Sequence, residues 1–141
     1  MFEFHGWFTI RKTTGDDDKG LSQAVERLST LIESLNGRMS DGTRDSNALI
    51  KLQYMNGEAF LHLAGNKNHR STYWKDIQML LEWICREAPG SFGLLYWRDD
   101  EGDLPAGGNN FSVIVMRRGQ LTTHLDPFLS PIIPLVEDDG P

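Results

Sequence analysis

The chain has 141 residues, of which 39% are hydrophobic and 24% charged, and this composition is typical of one folded domain. Its formal net charge is -6, and acidic residues group at positions 16–18, 99–103 and 137–139. Because such a surface repels phosphate backbones, direct nucleic-acid binding is disfavoured. The sequence shows no secretory start and no membrane-length apolar run, and its single cysteine, Cys85, fits a reducing compartment. These features predict a cytoplasmic protein without membrane contact.

The first half of the chain predicts a strand, a helix and a hairpin. Phe2, Phe4 and Phe8 alternate with polar residues, a period typical of a half-buried strand, and Trp7 falls on the polar side. Apolar residues at helical spacing then predict an amphipathic helix over 21–35. Asn56-Gly57 stands between two alternating runs and predicts a tight hairpin.

The second half predicts another helix followed by strands. The helix begins at Thr72 and ends before Pro89-Gly90. SFGLLYWR is apolar in both alternations, which indicates a strand in the middle of a sheet, and FSVIVMR and QLTTHL follow with a turn at Arg118-Gly119. The ending, DPFLSPIIPLVEDDGP, has too many prolines for a central strand and predicts an extended tail packed through its apolar residues.

These elements predict an α+β fold in the order β-α-β-β-α-β-β. We expect a mainly antiparallel sheet of five or six strands with two helices on one face, and the other face partly open. Residues 1–141 are expected to form a single domain, with 135–141 a loose acidic tail.

The sequence offers little catalytic chemistry. Its four histidines are scattered, with no HExxH motif and no cysteine pair, so neither a metal nor a cofactor is expected. Cys85 falls on the apolar face of the second helix, where a cysteine usually packs as a small hydrophobe. The carboxylates of RDDEGD lie in a loop without apolar residues to desolvate them, which favours solvated charge. We therefore expect a binding protein and not an enzyme.

The tryptophans and the acidic loop are the candidates for partner contact, because interface cores favour aromatic residues and carboxylates attract basic partners. An alternative for Trp7 and Trp97 is a second small core beneath the C-terminal tail. His5 joins the candidates because it shares the polar face of the first strand with Trp7. The predicted contact residues are Trp97, Asp99, Asp100, Glu101, Asp103, Trp83, Trp7 and His5.

Five segments together resemble the Immunity protein 7 family of bacterial polymorphic toxin systems, including those of the contact-dependent inhibition type. They are the opening MFEFHGWFTI, the NG hairpin followed by GNKNH, APGSFGLLYWRDDEG, NNFSVIVMRRGQL, and DPFLSPIIPLVED near the end. The resemblance covers nearly the whole length. It implies an α+β immunity protein that protects the producing cell by binding the C-terminal domain of a cognate toxin, commonly a nuclease with a basic cleft. The predicted contact residues then become predicted toxin contacts, although the resemblance itself places no binding surface.

Three alternatives remain open on the sequence alone. A small enzyme would pair His5, His69 or His124 with a loop carboxylate. A single-strand nucleic-acid-binding domain would use Trp and His on an open sheet, against the acidic charge. A homodimer through the open sheet face is the third.

Overall fold

The computed structural model describes residues 1–16, 19–35, 47–70, 72–101 and 108–140. The elements in chain order are β1 (Phe2–Ile10), α1 (Leu21–Leu35), β2 (Ala48–Met55), β3 (Glu58–Lys67), α2 (Thr72–Glu87), β4 (Phe92–Asp99), β5 (Ser112–Arg117), β6 (Gln120–Leu125) and the one-turn α3 (Ile132–Leu135).

The strands form a six-stranded sheet in the order β2-β3-β1-β4-β5-β6, with every neighbouring pair antiparallel. This confirms the predicted α+β class and the larger of the two predicted strand numbers. The predicted element order is correct through β5, and the structure continues it with β6 and α3. SFGLLYWR forms β4, which lies between β1 and β5 as its apolar character predicts.

One face of the sheet packs against both long helices. Phe2, Phe4 and Phe8 of β1 point to this side and are at most 1% exposed, together with Leu28 of α1 and Leu81 of α2. The alternate residues of β1, including Trp7, point to the opposite face, as the period of a strand requires. The core therefore lies on the helix side, and the opposite face is partly open, as predicted.

Both predicted hairpin turns are present. Asn56 and Gly57 have φ values of 51° and 80°, and Arg118 and Gly119 have 49° and 72°. Two consecutive positive φ values define the turn that matches the twist of antiparallel strands, and asparagine and glycine adopt it at low cost.

The C-terminal segment, residues 126–137, is not a simple extended tail. It contains α3, and among its apolar residues Ile132 is 1% exposed, whereas Leu135 and Val136 are exposed. The N–H groups of Val136 and Glu137 donate to the Ile132 carbonyl, at 2.7 and 2.9 Å. Its backbone thus forms hydrogen bonds as far as Glu137, while most of its apolar side chains face outward. Among the helices of the described ranges, none combines the length and apolarity that a membrane crossing requires.

Candidate interaction surface

Trp97 lies in the main core beneath α2. Its ring centroid is 5.4 Å from that of Trp74 and 6.0 Å from that of Phe2, and the guanidinium of Arg70 lies 5.8 Å above the ring. The residue is 7% exposed, so it offers almost no surface to a partner. Trp97 is therefore a residue of the main core. It is not an exposed anchor, and it does not belong to a second core beneath the C-terminal tail, which was the predicted alternative.

Asp99 is also buried, at 7% exposure, at the end of β4. Its Oδ2 lies 3.5 Å from Nε of Arg70, and its Oδ1 accepts the backbone N–H of Glu101 at 3.0 Å. A carboxylate held in this way stabilises the turn that follows the strand. Its charge is largely offset before any partner arrives.

The next two acids of the loop are exposed and have partners within the chain. Asp100 accepts a hydrogen bond from the N-terminal ammonium of Met1 at 2.5 Å, and Glu101 contacts Nδ1 of His69 at 2.9 Å. The ammonium lowers the pKa of Asp100, and Asp100 in turn raises the pKa of the amine. Asp103 lies outside the described residues.

The ion pair between Met1 and Asp100 predicts how the pKa of the terminal amine responds to a substitution. Asp100→Asn removes the carboxylate that stabilises the charged amine, so the pKa of the amine should fall back toward its usual value of 8.0. The rate of amine acylation against pH measures this pKa. Asp139→Asn is the control, and an equal shift in both variants would contradict a specific pair.

The acidic run at 137–139 meets the run at 99–103 near the end of β4. The Nη1 of Arg98 lies 4.0 Å from Oε1 of Glu137, and Arg98 immediately precedes Asp99. The chain thus brings together, at one end of the sheet, carboxylates that are far apart in sequence. We call this group the acidic end. It comprises the exposed Asp100, Glu101 and Glu137, and we include the exposed Asp138 and Asp139 because they follow Glu137 directly in the chain.

Trp7 and His5 lie on the open sheet face. Trp7 is 43% exposed and packs edge to face on Phe92, with ring centroids 6.3 Å apart. In the register of β1 and β4 it pairs with Leu94, five positions from Asp99, or roughly 17 Å along the strand. His5 is exposed and its Nε2 lies 3.1 Å from Oε2 of Glu3. The structure therefore separates Trp7 from the loop acids, whereas His5 lies nearer to them, because its register partner is Tyr96 and that of Glu3 is Arg98.

Trp83 lies on the other side of the molecule, between the two long helices. It is half-buried, and the guanidinium of Arg27 on α1 lies 5.7 Å above its ring. Trp83, Leu31 and Leu35 help to line a groove of about 280 Å³ between the helices. The periodicity of α2 alone predicts that Trp83 faces solvent. The neighbouring helix α1 covers this side of α2 in part, so Trp83 is half-buried.

Exposed apolar residues in the C-terminal segment were not among the predicted contacts. Phe128 is 75% exposed, Leu129 49%, Leu135 59% and Val136 56%. The available signal was a run of apolar residues among prolines, directly before three acids. The prediction that the tail packs through its apolar residues is wrong for these four, which lie on the surface.

Asp126 holds the beginning of this segment. It is 1% exposed, and its carboxylate accepts the N–H of Phe128 at 3.0 Å, the N–H of Leu129 at 2.7 Å and the hydroxyl of Ser130 at 3.1 Å. The Asp126 N–H donates to the Phe111 carbonyl, and the Phe111 N–H donates to the Ser130 oxygen, both at 2.9 Å. This network fixes the backbone that carries Phe128.

Asn109 holds the middle of the segment. Its carbonyl accepts the N–H of Ile132 at 2.7 Å, and its side chain makes a reciprocal pair of bonds with the backbone of Ile133, at 2.8 and 3.0 Å. A side-chain amide bound to both the N–H and the C=O of one residue fixes that residue's position. Asp126 and Asn109 together form what we call the polar frame of the segment.

The candidate catalytic groups Cys85, His69 and Glu101 do not have the surroundings that catalysis usually needs. Burial raises the pKa of the Cys85 thiol, which lowers its reactivity. The contact between His69 and Glu101 is open to water, with the side chains 72% and 58% exposed, whereas acid–base pairs are usually desolvated. Within the described ranges, no three potential ligands cluster as a metal site.

The described surface of this α+β domain carries grouped carboxylates and several exposed large apolar side chains, features found on surfaces by which proteins bind other proteins. The family model of Immunity protein 7 matches residues 1–138, nearly the whole chain. The chain therefore belongs to the Immunity protein 7 family and is an immunity protein against a toxin. It matches no curated protein and no solved structure.

Proposed function

We propose that this immunity protein works in the cytoplasm of a cell with a polymorphic, contact-dependent toxin system. It binds the C-terminal domain of its cognate toxin, a nuclease, and keeps that nuclease from acting on the cell that makes it. The protein itself performs no reaction and does not contact the nucleic acid. The observation that carries the proposal is the family match over residues 1–138, combined with the charge of the surface.

The charge supports a basic partner. The net charge is -6, and two acidic runs converge at the acidic end. A nuclease holds its phosphate backbone with lysines and arginines, so an acidic inhibitor can match the same cleft. Since Asp100 and Glu101 have partners within the chain, the tail acids Asp138 and Asp139 are the better candidates for contact with the toxin.

Protection of the cell needs tight binding, because a small free fraction of a nuclease is harmful. Nanomolar affinity corresponds to about 12 kcal/mol of binding free energy. An interface of about 800 Å² per partner with a few apolar anchors supplies this, while charges mainly raise the rate of association.

Charge neutralisation at the acidic end should slow association. The combined changes Glu137→Gln, Asp138→Asn and Asp139→Asn should lower the association rate constant about 3- to 10-fold at low salt and flatten its salt dependence. The measurement is stopped-flow or surface-binding kinetics with the purified toxin domain from about 50 to 500 mM salt. Protection of cells that express the toxin domain is measured in parallel.

The matched control removes three exposed acids elsewhere, with Asp16→Asn, Glu26→Gln and Glu33→Gln. Both variants carry the same formal charge of -3, because each loses three of the negative charges that give -6. Equal association rates for the two variants would show that position does not matter and would remove the acidic end from the proposal. A wild-type chain that neither binds the toxin domain nor protects cells would refute the function itself.

A further inference from the structure

The C-terminal segment exposes several large apolar side chains, although its backbone is held by hydrogen bonds. Phe128, Leu129, Leu135 and Val136 are each about half or more exposed, within nine consecutive residues. Scattered exposed apolar residues are normal on a protein surface, but several on one short segment mark an interaction site. These four residues, which we call the apolar set, contribute little to the core on the helix side, since none belongs to it.

The polar frame makes the same segment rigid. Asp126 contributes three bonds from its carboxylate, and Asn109 holds Ile132 and Ile133. Burying a carboxylate is costly unless it is well bonded, so the fold uses a demanding network to fix a loop whose side chains face outward. A loop ordered before binding loses less conformational entropy on binding, which increases affinity.

The surrounding charge indicates the chemistry of the partner. Glu137, Asp138 and Asp139 follow Val136 directly, and Glu137 lies beside Arg98 at the acidic end. An apolar anchor next to exposed carboxylates fits a partner surface that has an apolar recess beside lysines or arginines. A second copy of this chain would bring the same acids together at a symmetric contact through this segment, and like charges oppose that pairing.

We propose that residues 126–137 form the anchor of the toxin interface. Phe128 and Val136 enter an apolar recess at the rim of the toxin's basic cleft, and the acids that follow Val136 pair with its lysines or arginines. This inference rests on the proposed function and adds to it the surface that binds.

Alanine replacements test the anchor. Phe128→Ala and Val136→Ala should each weaken binding of the purified toxin domain about 10- to 100-fold, mainly through faster dissociation. The matched controls are Tyr54→Ala for Phe128 and Leu49→Ala for Val136, because these residues are 51% and 53% exposed and lie on β2, at the far edge of the sheet from β6. The controls should change the dissociation constant less than about 2-fold. Thermal unfolding of every variant verifies that the fold is retained.

The outcomes separate this inference from the proposed function. If wild type binds the toxin and both segment variants bind equally well, the inference is overturned while the function stands. If wild type does not bind the toxin domain, the proposed function is refuted, and with it the inference that rests on it. If wild type sediments as a dimer without toxin and Phe128→Ala makes it a monomer, the segment is a self-association surface and the inference is overturned.

Discussion

Trp97→Ala is expected to lower the free energy of unfolding by about 3–5 kcal/mol, the usual cost of removing a large buried aromatic side chain. The ring packs against Trp74 and Phe2 and is covered by Arg70, so its removal leaves a cavity that the rigid sheet cannot fill. Equilibrium denaturation in urea, followed by far-UV circular dichroism, measures the change. Toxin affinity of the protein that remains folded should stay close to wild type.

Trp7→Ala is the matched control, because it removes the same ring from a site that is 43% exposed. Its cost should be about 1 kcal/mol, in line with the smaller area that the ring buries. Equal stabilities for the two variants would contradict the core position of Trp97. A large loss of toxin affinity in folded Trp97→Ala, with no loss in Trp7→Ala, would return Trp97 to the binding surface.

Asp126→Ala is expected to lower the free energy of unfolding by about 2–4 kcal/mol, because three donors lose a charged acceptor and only some of them regain water. The effect should be concentrated locally. Amide hydrogen exchange should accelerate most for the non-proline residues of 128–133, whose backbone the polar frame holds. The dissociation of a toxin complex should also become faster, since the apolar set would no longer be ordered before binding.

Asp139→Ala serves as the control, since it removes an exposed carboxylate from the same tail without touching the frame. Its stability and exchange rates should match those of wild type. Exchange that accelerates in this segment by no more than across the whole sheet in Asp126→Ala would mean that the frame supports the entire fold and not the segment alone.

Most of the fold is predictable from local pattern. The alternation in β1, the helical spacing in α1 and the two turns at Asn56-Gly57 and Arg118-Gly119 each depend on neighbouring residues only. The central place of β4 also follows, because a strand buried on both faces is apolar in both alternations.

The candidate surface was harder to predict, since it depends on contacts between distant segments. Because β4 is apolar in both alternations, its sequence does not show which face of the sheet Trp97 occupies. The register pairing of Trp97 with Phe4 of β1 places Trp97 on the helix side. Asp99 looks like Asp100 in sequence, yet Arg70 and the strand end bury it. Trp83 is half covered by a second helix, a contact that the periodicity of α2 does not contain.

The C-terminal segment could not be predicted for a similar reason. Its order comes from Asn109, which bonds to Ile133, 24 positions further along the chain. A proline-rich ending gives no periodic signal of such a contact. The acidic runs themselves are visible in sequence, but their meeting through Arg98 and Glu137 is not.

The polar frame holds the backbone of the C-terminal segment without using its outward side chains. Asn109 binds only backbone atoms of the segment, and Asp126 binds two backbone N–H groups and the Ser130 hydroxyl. The outward side chains at 128, 129, 135 and 136 take no part in these bonds. Exchanges at these four positions should therefore leave the fold intact. If they contact the toxin as proposed, a lineage can acquire a new toxin specificity by small steps without first losing a stable immunity protein.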